Sequence, residues 1–296
     1  MELLTNVNID FIAKRRIAFV ISGSLILIGL IFLVMNGLNL GIDFRGGAQI
    51  EIRFANPITI DQVKAKLSQL GYKAIVTDAG KNTYLISIRH GGGSANVGRT
   101  VKTAFQSDKS FKVQDISISE VGPNIGKDLR KAALLSIFFS LLFLLGYIAW
   151  RFELKFAVGA ILALVHDVTI TIGFFSFFGW EVNLPTLAAF LTIIGYSLND
   201  TIVVFDRIRE NLRLLRGWRY ADIINRGINQ TLSRTIITSL TTLMATTSLI
   251  ILAGPGEVRI FAIALTIGVV VGTYSSIFIA SPIVYGWYMR SQKKKM

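Results

Sequence analysis

Six apolar runs, each long enough to cross a bilayer, punctuate this chain. They fall near residues 17–35, 132–150, 156–178, 184–205, 235–253 and 260–285, and about 20 residues suffice for a ~30 Å hydrocarbon core. The interval between the first and second runs has a different pattern. Residues 49–54 alternate apolar and polar positions, as a half-buried strand does. Residues 59–70 open on Thr59 and place Ile60, Val63, Leu67 and Leu70 at helical spacing. Two short strands, 72–77 and 83–89, flank an Ala79-Gly80-Lys81-Asn82 turn, a helix is expected over 95–105 with Ser94 as its cap, and 111–119 alternates again. The order predicts a β-α-β-β-α-β unit of ferredoxin-like type. Gly91-Gly92-Gly93 beside it lacks the Lys-Ser/Thr of a phosphate loop and is read as a connector, with His90 solvated next to it.

Composition supports the membrane reading. Of 296 residues 52% are hydrophobic, and the mean hydropathy is +0.56, above the range of soluble domains. The absence of cysteine excludes disulfides, thiolate metal sites and thiol nucleophiles. A net charge of +13 would suit nucleic acid, but the basic residues cluster at the ends of apolar runs. They are therefore read as an orientation signal in contact with anionic membrane lipids, and no nucleic-acid partner is expected.

Lys14, Arg15 and Arg16 precede the first run, whose length and lack of a small-x-small cleavage site make it a retained anchor. Arg151 and Lys155 separate runs two and three, Arg207 to Arg226 separate four and five, and Arg290 follows the sixth. Both termini are then expected in the cytoplasm. The predicted organisation is an N-terminus and first span (1–37), an exported α+β domain (38–130), a five-span bundle (131–285) and a basic tail (286–296). Within the bundle, 207–233 reads as two short amphipathic helices broken at Gly217 and lying on the inner leaflet.

Polar side chains interrupt the apolar runs. The third carries His166 and Asp167, with Thr171 one turn on; the fourth carries Asn199 and Asp200, with Thr192 and Tyr196 on the face of Asp200. Arg234 opens the fifth, and Thr238, Thr242 and Thr246 continue from it at steps of four. The sixth holds Gly268-x-x-x-Gly272, a helix-packing signal. An ionisable group at mid-membrane costs roughly 2.5–3.5 kcal/mol on insertion scales and marks ion or proton pathways. A dry carboxylate keeps a proton, and one beside a guanidinium releases it. Asp200, with Arg234 as its counter-ion on the next run, thus reads as an acid that changes protonation with its surroundings. Asp206, beside Arg207 and Arg209, reads as a solvated ion pair.

The run Tyr196-Ser197-Leu198-Asn199-Asp200-Thr201-Ile202-Val203-Val204-Phe205-Asp206-Arg207-Ile208-Arg209-Glu210-Asn211 resembles the signature of the SecF family, the smaller membrane subunit of the SecD–SecF protein-export complex. Gly41-Ile42-Asp43-Phe44-Arg45-Gly46-Gly47 is similar to that family's second hallmark, and Val165-His166-Asp167 and Ser233-Arg234-Thr235 also fit. The resemblance covers nearly the whole chain. It implies six helices that form half of an RND-type transport unit, completed by SecD, in the bacterial inner membrane. It further implies use of the proton-motive force to draw exported polypeptides across beside the SecYEG channel and SecA motor, with YajC as a further partner. Asp200 is then the proton carrier and Arg234 its switching partner, with Asn199, Asp167 and His166 contributing to the relay. Neither cofactor, metal nor enzymatic site is implied. Two other readings are an RND-type exporter of small molecules or lipids, and an intramembrane aspartyl protease using Asp167 and Asp200. The latter lacks a Gly-x-Gly-Asp context, because Leu198-Asn199 precedes Asp200.

Overall fold

The computed structural model describes residues 7–89 and 96–293. The expectations for His90, Gly91-Gly92-Gly93 and Ser94 lie outside the described residues. Among the described residues, six helices, or continuous helical stretches, are long and apolar enough to cross a membrane. They are α1 (Arg15–Asn36), α5 (Pro123–Arg151), α6 (Leu154–Phe178), α7 (Leu184–Leu214), α8 (Tyr220–Leu252) and a final stretch. The last is built from α9 (Glu257–Ser275), a π-helical turn (Ser276–Ala280) and α10 (Ser281–Lys293). Several extend beyond the apolar runs. The helix α5 begins at Pro123, a favoured first-turn residue, and runs through Lys127, Asp128, Arg130 and Lys131 before its apolar part. Helical backbone does not require apolar side chains, so hydropathy alone misses this start.

Between α1 and α5 lie β1 (Asn39–Leu40), α2 (Ile42–Arg45), β2 (Gly47–Phe54), α3 (Ile60–Gln69), β3 (Ala74–Gly80), β4 (Thr83–Arg89), α4 (Val97–Ser107) and β5 (Val113–Val121). Four strands form one sheet in the order β3-β4-β2-β5, every pair antiparallel. In β2 the alternation is physical: Ala48, Ile50, Ile52 and Phe54 are buried, while Glu51 and Arg53 are exposed. The buried face packs on α3 and α4 through Val63, Leu67, Val101 and Phe105, each such side chain worth about 1.5–3 kcal/mol on burial. Thr59 starts α3 with a reciprocal capping box to Gln62. Close behind α4, the Lys66 ammonium lies 2.6 Å from Asp108.

That ion pair and the Ser110 donors hold the Asp108 carboxyl down at about 2, from an ordinary 3.8. A carboxyl lowered by folding stabilises the fold fully above its unfolded value, and the contribution disappears as pH falls toward about 2. Lys66→Met is expected to raise the Asp108 titration toward the ordinary carboxylate range, with the Ser110 donors still holding it below, read by NMR, and with little change in stability at neutral pH because the pair remains partly open to solvent.

Two short elements stitch the sheet unit to the helical bundle. Strand β1 pairs in parallel with β6 (Glu181–Val182), which sits between α6 and α7. The helix α2 forms inside the Gly41–Gly47 segment and ends at Gly46, whose φ of 77° suits glycine. A Cβ on Gly126 of α5 would lie 2.9 Å from the Gly46 amide nitrogen, so glycine there permits α5 to close on the turn.

In the bundle, α1 and α6 meet where Gly29 faces Gly173; a Cβ on Gly173 would lie 2.8 Å from the Gly29 Cα. The 207–233 region departs from two free amphipathic helices. Its first part is the end of α7 and its second the beginning of α8, separated by a turn with Gly217 at φ 89°. Ile223, Ile224 and Ile228 are buried and Gly227 closes on Ile208. The N-terminal segment covers the same region. Asn229 pairs with the Ile9 backbone in both directions, and Asn225 accepts from the Ile12 amide and donates to Asp10. The Ala13 amide and Asn225 hold the Asp10 carboxyl below its usual range. The apolar face assigned to the leaflet is therefore largely covered by the chain itself; Leu214 and Trp218 stay exposed.

Candidate functional site

Asp200 lies on the buried side of α7, 3% exposed. Its polar neighbours come from α8: the Arg234 guanidinium, Thr238 and Ser239. No ion pair within 4.0 Å joins Asp200 to Arg234, since the ion pairs among the described residues lie elsewhere. Arg234 is exposed. Three buried side-chain oxygens lack a protein partner among the described residues: Asp200 Oδ2, Tyr196 Oη and Thr235 Oγ1. All three belong to α7 and α8. Buried polar atoms are normally satisfied, so such a concentration singles out the α7–α8 seam. Asn199 faces away on the exposed side of α7 and is not brought to Asp200. Asp206 pairs with Arg151, at 3.5 Å, rather than with its sequence neighbours.

The Thr stripe bonds largely to its own helix. Thr238 donates to the Arg234 and Thr235 carbonyls and Thr242 to that of Thr238. Cross-links to α9 come from Ser239 with Thr273 at 2.6 Å, and from Thr266 donating to Thr246 at 2.9 Å.

Asp167 occupies a second, separate polar cluster and is fully buried. His166 Nδ1 lies 2.8 Å from Oδ1, while Ser197 and Ser275 donate to Oδ2 at 2.5 and 2.8 Å. On the other side of the ring, His166 Nε2 lies 3.0 Å from Ser22 Oγ on α1. Ser22 contacts Tyr274 Oη at 3.1 Å, and Tyr274 donates to the Ala18 carbonyl at 3.0 Å. Four helices, α1, α6, α7 and α9, thus converge on one side-chain network. The small pair Gly268-x-x-x-Gly272 makes this convergence possible. A Cβ on Gly268 would lie 2.2 Å from Ile193, and one on Gly272 would lie 3.0 Å from the Ser197 Cβ. Ser22, Ser197, Tyr274 and Ser275 were not distinguishable in the sequence from other small or aromatic helix residues; proximity to His166-Asp167 was their signal.

The glycine-rich segment after α1 is a structural joint. Asp43 accepts from the Leu184 amide at 2.8 Å, and Asn183 accepts from the Thr186 amide at 3.0 Å, so two side chains cap the start of α7. Phe44 is buried with Phe175 and Phe190. A Cβ on Gly41 would meet Glu181 Oε1 at 2.9 Å, and Gly47 opens β2. Between this joint and the open sheet face lies a cleft of about 540 Å³, with Ile75 and Leu85 on one wall and Trp180, Glu257 and Ile260 on the other.

Comparison with known proteins agrees along the chain. Residues 100–290 match the model of the protein export membrane protein SecD/SecF C-terminal family, and residues 31–58 match the SecD/SecF GG motif. The protein translocase subunit SecF of Calditerrivibrio nitroreducens is 43% identical over 293 residues, covering 96% of each chain. That of Rhodothermus marinus is 43% identical over 292 residues, covering 96% of this chain and 94% of the relative. The crystal structure of SecDF, a translocon-associated membrane protein from Thermus thermophilus, superposes with a TM-score of 0.85 at 37% identity. The match covers 96% of this chain but 39% of the SecDF chain, so the present chain corresponds to a minor part of that longer polypeptide. With a family model matched over most of its length and relatives aligned nearly end to end, the chain belongs to the SecF family of protein-export membrane proteins.

Proposed function

We propose that this chain is the SecF half of a proton-driven unit that assists polypeptide export. Family membership makes it a multi-pass membrane subunit of protein translocation rather than an enzyme. The finer reading rests on Asp200: a buried carboxylate whose Oδ2 has no protein partner, facing Arg234, Thr238 and Ser239 across the α7–α8 seam. With no ion pair closed, a relative movement of α7 and α8 that brings guanidinium and carboxylate together would expel a proton, and separation would allow one to return. Each proton moved down a 100 mV potential supplies about 2.3 kcal/mol. Arg234 is the switching partner; His166 and Asp167 form a second element of the relay; Asn199, on the exposed side of α7, would contribute to the relay only from that side.

The other half is a SecD-type chain, which the 39% coverage of the SecDF polypeptide supports. SecYEG, SecA, YajC and the exported polypeptide complete the set of partners, in the bacterial inner membrane with both termini cytoplasmic, as the basic residues favour. The unit at 38–130 is the exported domain; its strand order and antiparallel pairing support a ferredoxin-like fold. A protease dyad is disfavoured because both oxygens of Asp167 are taken by His166, Ser197 and Ser275.

The test is export into inner-membrane vesicles carrying the complete translocase with or without this chain. Its stimulation is expected to vanish when an uncoupler collapses the proton gradient. Stimulation that survives the uncoupler overturns the proton-driven reading.

A further inference from the structure

The second polar cluster carries a proton count of its own. A carbonyl oxygen only accepts, so the single proton of Tyr274 is committed to the Ala18 carbonyl, 3.0 Å away. Ser22 then gives its only proton to Tyr274 Oη, at 3.1 Å. With that proton used, Ser22 Oγ can only accept from the imidazole, at 3.0 Å, which places a hydrogen on His166 Nε2. The 2.8 Å contact between Nδ1 and Asp167 Oδ1 needs a second proton, since a bare nitrogen and a bare carboxylate oxygen would repel. Imidazolium beside carboxylate, or imidazole beside carboxylic acid, satisfies the count equally. Either way the pair holds one proton more than a neutral ring and an ionised acid, and its net charge is zero.

We infer that His166 and Asp167 together form a second proton-holding site in the membrane, separate from Asp200, and that α1 and α9 enforce its occupancy through Ser22 and Tyr274. This rests on the proton-coupled reading of the chain and deepens it. The serines on Oδ2 stabilise the same carboxylate from α7 and α9. Other ionisable groups are few. Tyr274 faces the ring from α9, stacked at 6.2 Å between centroids; α1 presents the Ser22 hydroxyl to it. On α7, Asp200 lies three residues beyond Ser197, and Arg234 lies beyond it on α8. If α1 withdraws, Ser22 no longer demands the Nε2 hydrogen. The ring can then donate from Nδ1 to an ionised Asp167, and the proton formerly on Nε2 leaves to water. The balance is one proton released and one negative charge gained by the cluster.

The chain has two histidines, so His90→Gln leaves a single imidazole to observe. In that background, with only this chain carrying ¹⁵N-histidine and the other subunits of the membrane complex unlabelled, His166 is expected to show a protonated Nε2 at neutral pH. Tyr274→Phe keeps the stacked ring and frees the Ser22 proton, so the signal should move toward the Nδ1–H tautomer with a bare Nε2. Ser22→Ala should produce the same shift, which keeps the test available if one variant fails to fold. A bare Nε2 before either substitution, or a protonated Nε2 that ignores both, overturns the inference. Asp200→Asn should leave the spectrum unchanged, so failure of the Asp200 assignment is seen in export and failure of this one in the imidazole signal.

Discussion

Asp200→Asn is expected to reduce proton-dependent export stimulation to the level measured with the gradient collapsed, while the chain folds and assembles normally. The substitution keeps the size and shape of the side chain and removes its capacity to gain and lose a proton. Little structure is lost with it, because Oδ2 has no protein partner. Replacing a desolvated carboxyl by a neutral amide should change stability by about 1 kcal/mol or less, in either direction. The measurement is export in membrane vesicles with and without a proton gradient, paired with a thermal melt of the purified complex. Full gradient-dependent stimulation by the Asn variant would remove Asp200 from the mechanism.

Asp167→Ala is expected to do the opposite, destabilising the chain strongly. Its carboxylate is the common acceptor for Ser197 and Ser275 and the partner of His166. Truncation leaves His166 Nδ1 and Ser197 Oγ unpaired where four helices meet and leaves Ser275 with the Gly272 carbonyl, and losing one member of a buried charged pair typically costs about 3–5 kcal/mol. Asp167→Asn retains a carbonyl oxygen for one serine and should cost less, on the order of 1–3 kcal/mol. Thermal melts in one detergent decide the order. A melt unchanged in the Ala variant would mean that the network does not hold the helices together. The two acids thus separate by environment: one has its oxygens saturated, and the other retains an oxygen free to exchange.

The sequence carried most of the long-range plan through periodicity. The apolar runs mark the six spans, and the strict alternation around Ile50, Ile52 and Phe54 marks β2. Asp200 was legible because an acid inside an apolar run has few cheap explanations. What escaped depends on contacts between distant residues. The β1–β6 pairing joins two dipeptides about 140 positions apart, far too short for any periodic signal. The α2 turn sits inside a glycine-rich motif that reads as loop. Arg234 is the expected counter-ion, yet the spacing along α8 does not fix how far it stands from a carboxylate on α7. Asn199 shares a peptide bond with Asp200, but the 100° helical step turns it to the opposite, exposed side. The partners of Asp167 are serines and a tyrosine, which carry no signal until the helices are assembled.

The joint formed by Asp43, Gly46 and the β1–β6 pair has a mechanical consequence. It fastens the root of β2 to the first turn of α7, leaving no slack linker between the sheet and the helix that carries Asp200. Asp200 sits 16 residues along that helix, about 24 Å from its start at 1.5 Å per residue. A tilt of about 10° pivoting there would carry the joint sideways by about 4 Å. The sheet unit would swing with it as the long arm of a crank whose short arm ends at a single carboxylate.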